Sequence, residues 1–303
     1  MAMSESRRKK LEMLTRSIAA GDMRGAGEVL SHVGKGAAPA DMTLAGPTPA
    51  TTGAPLAMET ALPGREVAVG ENGRYWLVRR TLGEVGSDYL DHQREYAAIL
   101  KGARQRFDEL EASPGLCHIA NGTPEGPLFM DIESCGLAGS VIFLVGLMSY
   151  QDGQMVFEQL LARHYGEEEA ILATFVERLA AASCLVTFNG KGFDMNVIRE
   201  RCAFYGLEVD FMPPHCDMLH ESRKLWRKSL PNCKLQTLET HLCKRRRVGD
   251  IPGAAIPEAY HRFVADSDAR QLQAIVHHNL LDLLTMSQLV CAALSGEMPD
   301  PDA

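Results

Sequence analysis

No stretch of this 303-residue chain is apolar and long enough to span a bilayer. The longest, Val141 to Met148, is interrupted by Gly146 and falls far short of the ~20 residues a membrane helix requires. Arg7-Arg8-Lys9-Lys10 near the N-terminus is not followed by an apolar run of signal-peptide length, so no membrane role is expected. The eight cysteines (117, 135, 184, 202, 216, 233, 243 and 291) include no Cys-x-x-Cys pair. His215, Cys216, Cys233, His241 and Cys243 follow no zinc-ligand spacing, so scattered core residues are the expectation there. Thiols such as Cys184 and Cys291 lie inside apolar runs, as in reduced cytoplasmic proteins. An excess of positive charge is also missing. With 31 Lys and Arg against 39 Asp and Glu, the net charge of −8 argues against a surface coated for nucleic acid. The exception is local: from Arg223 to Arg247 nine cations (Arg223, Lys224, Arg227, Lys228, Lys234, Lys244, Arg245, Arg246 and Arg247) face one acid, Glu239. Such a stretch is either a solvated helix face or a phosphate-tracking surface.

Against this background the carboxylates stand out. Leu-Phe-Met-Asp131-Ile-Glu133 ends an apolar run, and strand alternation puts Asp131 and Glu133 on one face with Ile132 turned inward. Two carboxylates placed side by side repel unless a cation lies between them, and an all-oxygen site suits Mg²⁺ or Mn²⁺ better than zinc. A second run, Leu185 to Phe188, breaks into Asn189-Gly190-Lys191-Gly192-Phe193-Asp194. That is a strand–loop–helix edge, where open α/β sheets place their sites. Asp194 is there either a functional acid or a helix N-cap, and Asn189 either a ligand-facing residue or a turn former. A third segment, Asp268 to Leu294, has helical periodicity, with Gln271, His278, Asp282 and Thr285 on one stripe opposite Val276, Leu280, Leu283 and Leu284.

Together the three segments resemble the DEDD superfamily of 3′→5′ exonucleases, of ribonuclease H-like fold. The match runs through Asp131 and Glu133, then Asn189, Phe193 and Asp194, then His277 or His278 with Asp282. The longer runs Asp-Ile-Glu-Ser-Cys-Gly-Leu, Phe-Asn-Gly-Lys-Gly-Phe-Asp, Asp250-Ile-Pro-Gly and His278-Asn279-Leu-Leu-Asp282 are similar to the YprB-type ribonuclease H-like domain of bacteria. The resemblance covers residues 121 to 296 and departs at Ser134-Cys135, where relatives carry two threonines, and at histidine in place of the commoner tyrosine.

It implies a nuclease with Asp131, Glu133, Asp194 and Asp282 as ligands of two Mg²⁺ or Mn²⁺ ions, ~3.5–4 Å apart in enzymes of this kind. It also implies a histidine base and a nucleic-acid partner with single-stranded or 3′ ends. A structure-specific endonuclease and a catalytically unused nucleic-acid-binding protein remain the alternatives. Asn189, Lys191, Arg245, Arg246 and Arg247 are the candidate substrate contacts. For the base, His278 lies about 40° from Asp282 on a regular helix and His277 about 140° away, which favours His278 and leaves His277 as the alternative.

Residues 1–35 read as a helical segment, a candidate docking element for a protein partner. Residues 36–64, rich in Ala, Thr and Pro, read as a disordered linker. A small α+β extension is expected over 65–120: a hairpin turning at Asn72-Gly73, then a helix from Asp88 to Leu110. Over 121–296 the alternation of patterns predicts an α/β fold, a ribonuclease H-like mixed five-stranded sheet flanked by helices, and 297–303 form a tail.

Overall fold

The computed structural model describes residues 54–106, 114–136, 139–209 and 212–299. The expected helical segment 1–35 and the linker up to residue 53 lie outside the described residues.

The sheet is built around β3 (Pro127–Ser134), a run of Leu, Phe, Met and Ile buried on both faces until the carboxylates begin. An antiparallel meander leads from it through β4 (Ile142–Gln151) to β5 (Gln154–Leu161). The β4–β5 turn is Asp152-Gly153 with both residues at positive φ, 49° and 80°, the twist that matches a tight hairpin. On its other side β3 pairs in parallel with β6 (Cys184–Thr187), and β6 in parallel with β7 (His215–Asp217). These five strands are the mixed sheet anticipated from the sequence.

The sheet itself has seven strands, in the order β1-β2-β5-β4-β3-β6-β7, because the N-terminal hairpin joins it. Strand β1 (Arg65–Ala68) pairs with β2 (Arg74–Thr81), and β2 continues the sheet along β5 from Trp76 against Leu161 to Thr81 against Val156. The alternating residues 65–82 are therefore part of the main sheet rather than a separate layer. The turn also differs from the expected two-residue one: a 3₁₀ turn over Gly70–Asn72 closes it, with Gly73 at φ 95°. Residues 54–64, assigned to the linker from composition, are folded. Met58, Ala61 and Leu62 are buried, and the Trp76 indole, the Gln273 amide and Asp268 bond their backbone. Composition missed this anchor because its apolar contacts come from distant residues.

Helices α1 (Leu90–Arg106) and α2 (Pro114–Ala120) follow the hairpin. Helix α3 (Glu168–Ala181) crosses from β5 to β6, and α4 (Asp194–Tyr205) crosses from β6 to β7. Next come α5 (Met218–Trp226), α6 (Leu235–His241) and α7 (Ile256–Asp266). The 26-residue α8 (Arg270–Ser295) is lined by 18 buried residues and packs on β3 and β4. Its position brings Asn279 and Asp282 to the strand that carries Asp131. Among the described residues no helix is long and apolar enough to cross a membrane.

Candidate active site

Asp131 sits where β3 leaves the core, opposite Gly146 of β4. A Cβ on Gly146 would lie 2.0 Å from the Asn279 Oδ1, so the glycine admits the buried Asn279 side chain to the strand surface. From there Asn279 Nδ2 donates to the Asp131 carboxyl at 2.8 Å and to its backbone carbonyl at 3.2 Å, and Asn279 Oδ1 accepts from Gln159 Nε2 at 2.9 Å. A glycine, an asparagine and a glutamine thus orient Asp131 from behind. The sequence reading named none of the three as functional.

Asp194 is the first residue of α4 and is buried. It does not cap its helix, since the N-cap is Phe193 and no side chain bonds there. The loop before it is held by Asp217, the last residue of β7. Asp217 accepts the backbone N–H groups of Asn189 (2.8 Å) and Lys191 (3.0 Å) with separate oxygens, and that of Leu219 at 3.0 Å. Asn189 takes a positive φ of 64° in this turn. Gly190 passes so close to Thr187 that a Cβ would meet its hydroxyl at 2.4 Å. Asp217 is a positioning residue, invisible in the sequence because only the parallel pairing of β6 with β7 sets it beneath the loop.

On α8, His278 and Asp282 are one turn apart, with His278 Nε2 3.6 Å from Asp282 Oδ2. The other ring nitrogen, Nδ1, lies 2.9 Å from both carboxylate oxygens of Asp250. An aspartate that holds one imidazole nitrogen fixes the ring and its tautomer. His277 points elsewhere: it lines a separate cavity with Arg79, Arg80 and Gln273, and its buried Nε2 has no hydrogen-bond partner among the described residues.

The four candidate carboxylates form one electrostatic neighbourhood. Burial, then Asp282, Glu133 and Asp194, holds the Asp131 pKa well above the usual carboxylate range. Burial raises Glu133 to about 8; His278 works against this, and Asp282 and Asp194 add to it. Asp194 rises to about 7 through burial, Asp217 and Asp282. Asp282 is raised by burial, although Arg247 and His278 both oppose the shift. For His278, burial favours the neutral ring, but the Asp250 hydrogen bond and the nearby Asp282 outweigh it and raise its pKa. Carboxylates that raise one another's pKa are a repulsive set, and a divalent cation is the partner that would relieve it. Their all-oxygen chemistry fits Mg²⁺ or Mn²⁺. Among the described residues no group of three or more His, Cys, Asp and Glu side chains is arranged to hold a metal ion. Open, partly hydrated coordination completed by substrate oxygens is the habit of Mg²⁺.

The basic stretch is only partly solvated. Arg245 is buried and bonds Glu239, Gln288 and Thr285. Arg247 is directed inward to Glu239 (2.7 Å), Asp250 (3.2 Å) and Asp282 (2.5 Å). Of the three arginines expected to meet substrate from the surface, only Arg246 is exposed. Arg245 and Arg247 turn inward because the fold supplies carboxylates that the linear count did not include. Lys191 is exposed, with its backbone tied to Asp217. The cleft that Asp131 and Asp282 line, about 530 Å³, is bordered instead by Phe188, Asn189, Leu219, Arg223, Asn232 and Lys234.

With this geometry in view, residues 128–293 match the RNase H superfamily. The chain belongs to the RNase H superfamily. The matched span runs from β3 to the last turn of α8 and contains all four carboxylates. An uncharacterized protein of Bacillus subtilis (strain 168), YprB, is 31% identical over 214 residues, which cover 66% of this chain and 52% of that protein. The chain therefore spans about half the length of that relative. Among solved structures, the family B DNA polymerase from the hyperthermophilic archaeon Pyrobaculum calidifontis aligns with a TM-score of 0.44 and 17% identity. That alignment covers 56% of this chain and 25% of the polymerase. The zinc-bound E. coli ExoI–ssDNA complex aligns with a TM-score of 0.29 and 16% identity, over 51% of this chain and 42% of ExoI. At these scores neither alignment carries weight beside the superfamily match.

Proposed function

We propose that this RNase H-superfamily protein is a divalent-cation-dependent nuclease that hydrolyses phosphodiester bonds from the 3′ end of a single strand. One observation carries the reading: Asp131, Glu133, Asp194 and Asp282, spread over more than half of the sequence, share one neighbourhood in which Asp282 disfavours the charge of each of the other three. Arg247 and His278 offset only part of this charge, and groups with perturbed pKa gather where chemistry is done. Asp131, Glu133, Asp194 and Asp282 would hold Mg²⁺ or Mn²⁺, which would supply an activated water and stabilise the departing 3′ oxygen. His278 takes the proton from the attacking water, its ring held by Asp250 for that task. Asn279 and Gln159 keep Asp131 in place, and Asp217 keeps the Asn189 loop beside it.

A panel of 5′-labelled DNA and RNA strands with free or blocked 3′ ends, incubated with Mg²⁺, Mn²⁺ or chelator, tests the reading. Stepwise shortening from free 3′ ends that needs the cation, and that is lost in Asp131→Asn with the fold intact, is the expected result. Cleavage of blocked or circular strands at the same rate would make the enzyme an endonuclease. Full turnover in chelator or in Asp131→Asn would remove the carboxylate site from the chemistry.

A further inference from the structure

The nine cations between Arg223 and Arg247 do not share one fate. Arg245 and Arg247 are consumed by Glu239 and its neighbours, and Lys224 pairs with Glu221 at 3.4 Å. Arg246 lines a different cavity with Gln236, Thr240 and Pro252. Arg223 and Lys234 alone among the nine line the cleft that Asp131 and Asp282 also line. Both are exposed, and the ion pairs that the described residues make within this stretch involve its other members.

Their placement is built. Arg223 is on α5, one residue after Ser222, whose backbone carbonyl accepts the buried Cys233 thiol at 3.8 Å. That weak contact and the burial of Cys233 set the loop carrying Lys234 beside the helix carrying Arg223. The Asn232 side chain then accepts the Lys234 backbone N–H at 2.9 Å and the Thr237 hydroxyl at 2.8 Å, closing an Asx turn at the start of α6. The lining of one cleft thus carries two cations, Arg223 and Lys234, together with two acids, Asp131 and Asp282. A ligand that is anionic along its length and brings cations with it satisfies both kinds of charge. A phosphodiester strand has that chemistry. Phe188, Leu219 and Leu235 in the same lining supply apolar surface for its sugars and bases.

We infer that Arg223 and Lys234 bind the backbone phosphates of the substrate strand next to the one being cleaved, and so determine how the strand enters. This rests on the nuclease reading. It assigns strand binding to this pair, and not to the Arg245–Arg247 triplet that the sequence pointed to.

The test is equilibrium binding of a fluorescein-labelled single-stranded oligonucleotide to the full-length protein in chelator, followed by anisotropy over a salt series. Each phosphate contact on a single strand contributes a slope of about 0.7 in log Kobs against log salt. The double variant Arg223→Ala/Lys234→Ala should therefore lose about 1.4 of the slope, and its affinity should fall similarly for all sequences. Arg227→Ala/Lys228→Ala, which changes two exposed cations of the same stretch outside the cleft, should leave the slope unchanged. Thermal melting checks that both variants fold. An unchanged slope in the cleft variant, or an equal loss in the control, overturns the inference even if the wild-type protein cleaves with cation. A reduced slope in the cleft variant of a protein that cleaves nothing with any cation would keep the strand-binding pair and overturn the nuclease reading.

Discussion

Gly146→Ala adds one methyl group at the point where α8 meets the sheet. Its Cβ would stand 2.0 Å from Asn279 Oδ1 and 2.6 Å from Cγ and Nδ2, all closer than heavy atoms tolerate. Either β4 and α8 separate, or Asn279 leaves its place and abandons Asp131 and Gln159. The first route is overpacking and the second breaks buried hydrogen bonds, and either costs about 1–3 kcal/mol, towards the upper end for so short an approach. The backbone pulls the other way, since replacing a glycine at an ordinary φ stabilises by about 0.4–1 kcal/mol through the unfolded chain. Any net loss is therefore due to Asn279. For a domain of this size the net loss corresponds to a fall in Tm of about 2–10 °C, read by calorimetry in chelator. A double-mutant cycle isolates the cause: in an Asn279→Ala background the methyl group has room, so Gly146→Ala should then cost less than about 0.5 kcal/mol. An equal cost of Gly146→Ala with and without the Asn279 side chain would refute the account. So would a variant as stable as the wild type.

Glu133 at about 8 and Asp194 at about 7 hold protons more tightly when folded than at the ordinary carboxylate pKa of about 4 in the unfolded chain. Between those values the folded state carries more protons, so the stability of cation-free protein should fall as pH rises from about 5 to about 8. Melting curves in chelator should show this decline, and Mn²⁺ should flatten it by replacing the protons. Asp250→Ala removes the hydrogen bond that raises the His278 pKa, so the acidic limb of the pH–rate profile should move to lower pH. An unmoved limb would mean that His278 is not the base. Asp217→Ala strands three backbone N–H groups and should lower both Tm and turnover; Asp217→Asn, which keeps one acceptor oxygen, should fall between it and the wild type.

The carboxylates were legible because their signals are local. Period-two alternation exposes Asp131 and Glu133 together, and a helical turn joins His278 to Asp282. The residues that hold them were not legible. Asn279 reaches Asp131 only because Gly146 is small and lies opposite it, and Asp217 serves the Asn189 loop only across a parallel pairing that no local pattern announces. Arg245 and Arg247 misled for the same reason. Counted along the chain they had one acidic neighbour, but the fold adds Asp250 and Asp282. The five strands of the main domain were legible too; that the hairpin of the extension adds two more to the same sheet was not, because the pairing of β2 with β5 joins residues about 80 positions apart.

That last pairing has a consequence for how the protein can be divided. The superfamily match begins at residue 128, inviting a cut just before β3. Such a cut would strip β2 from β5, a strand buried at every position but its first. It would leave a row of unpaired amide and carbonyl groups along an apolar ribbon, a ready template for another chain. The shortened protein would be prone to self-association through that edge, so the hairpin serves as the guard of the sheet's open side.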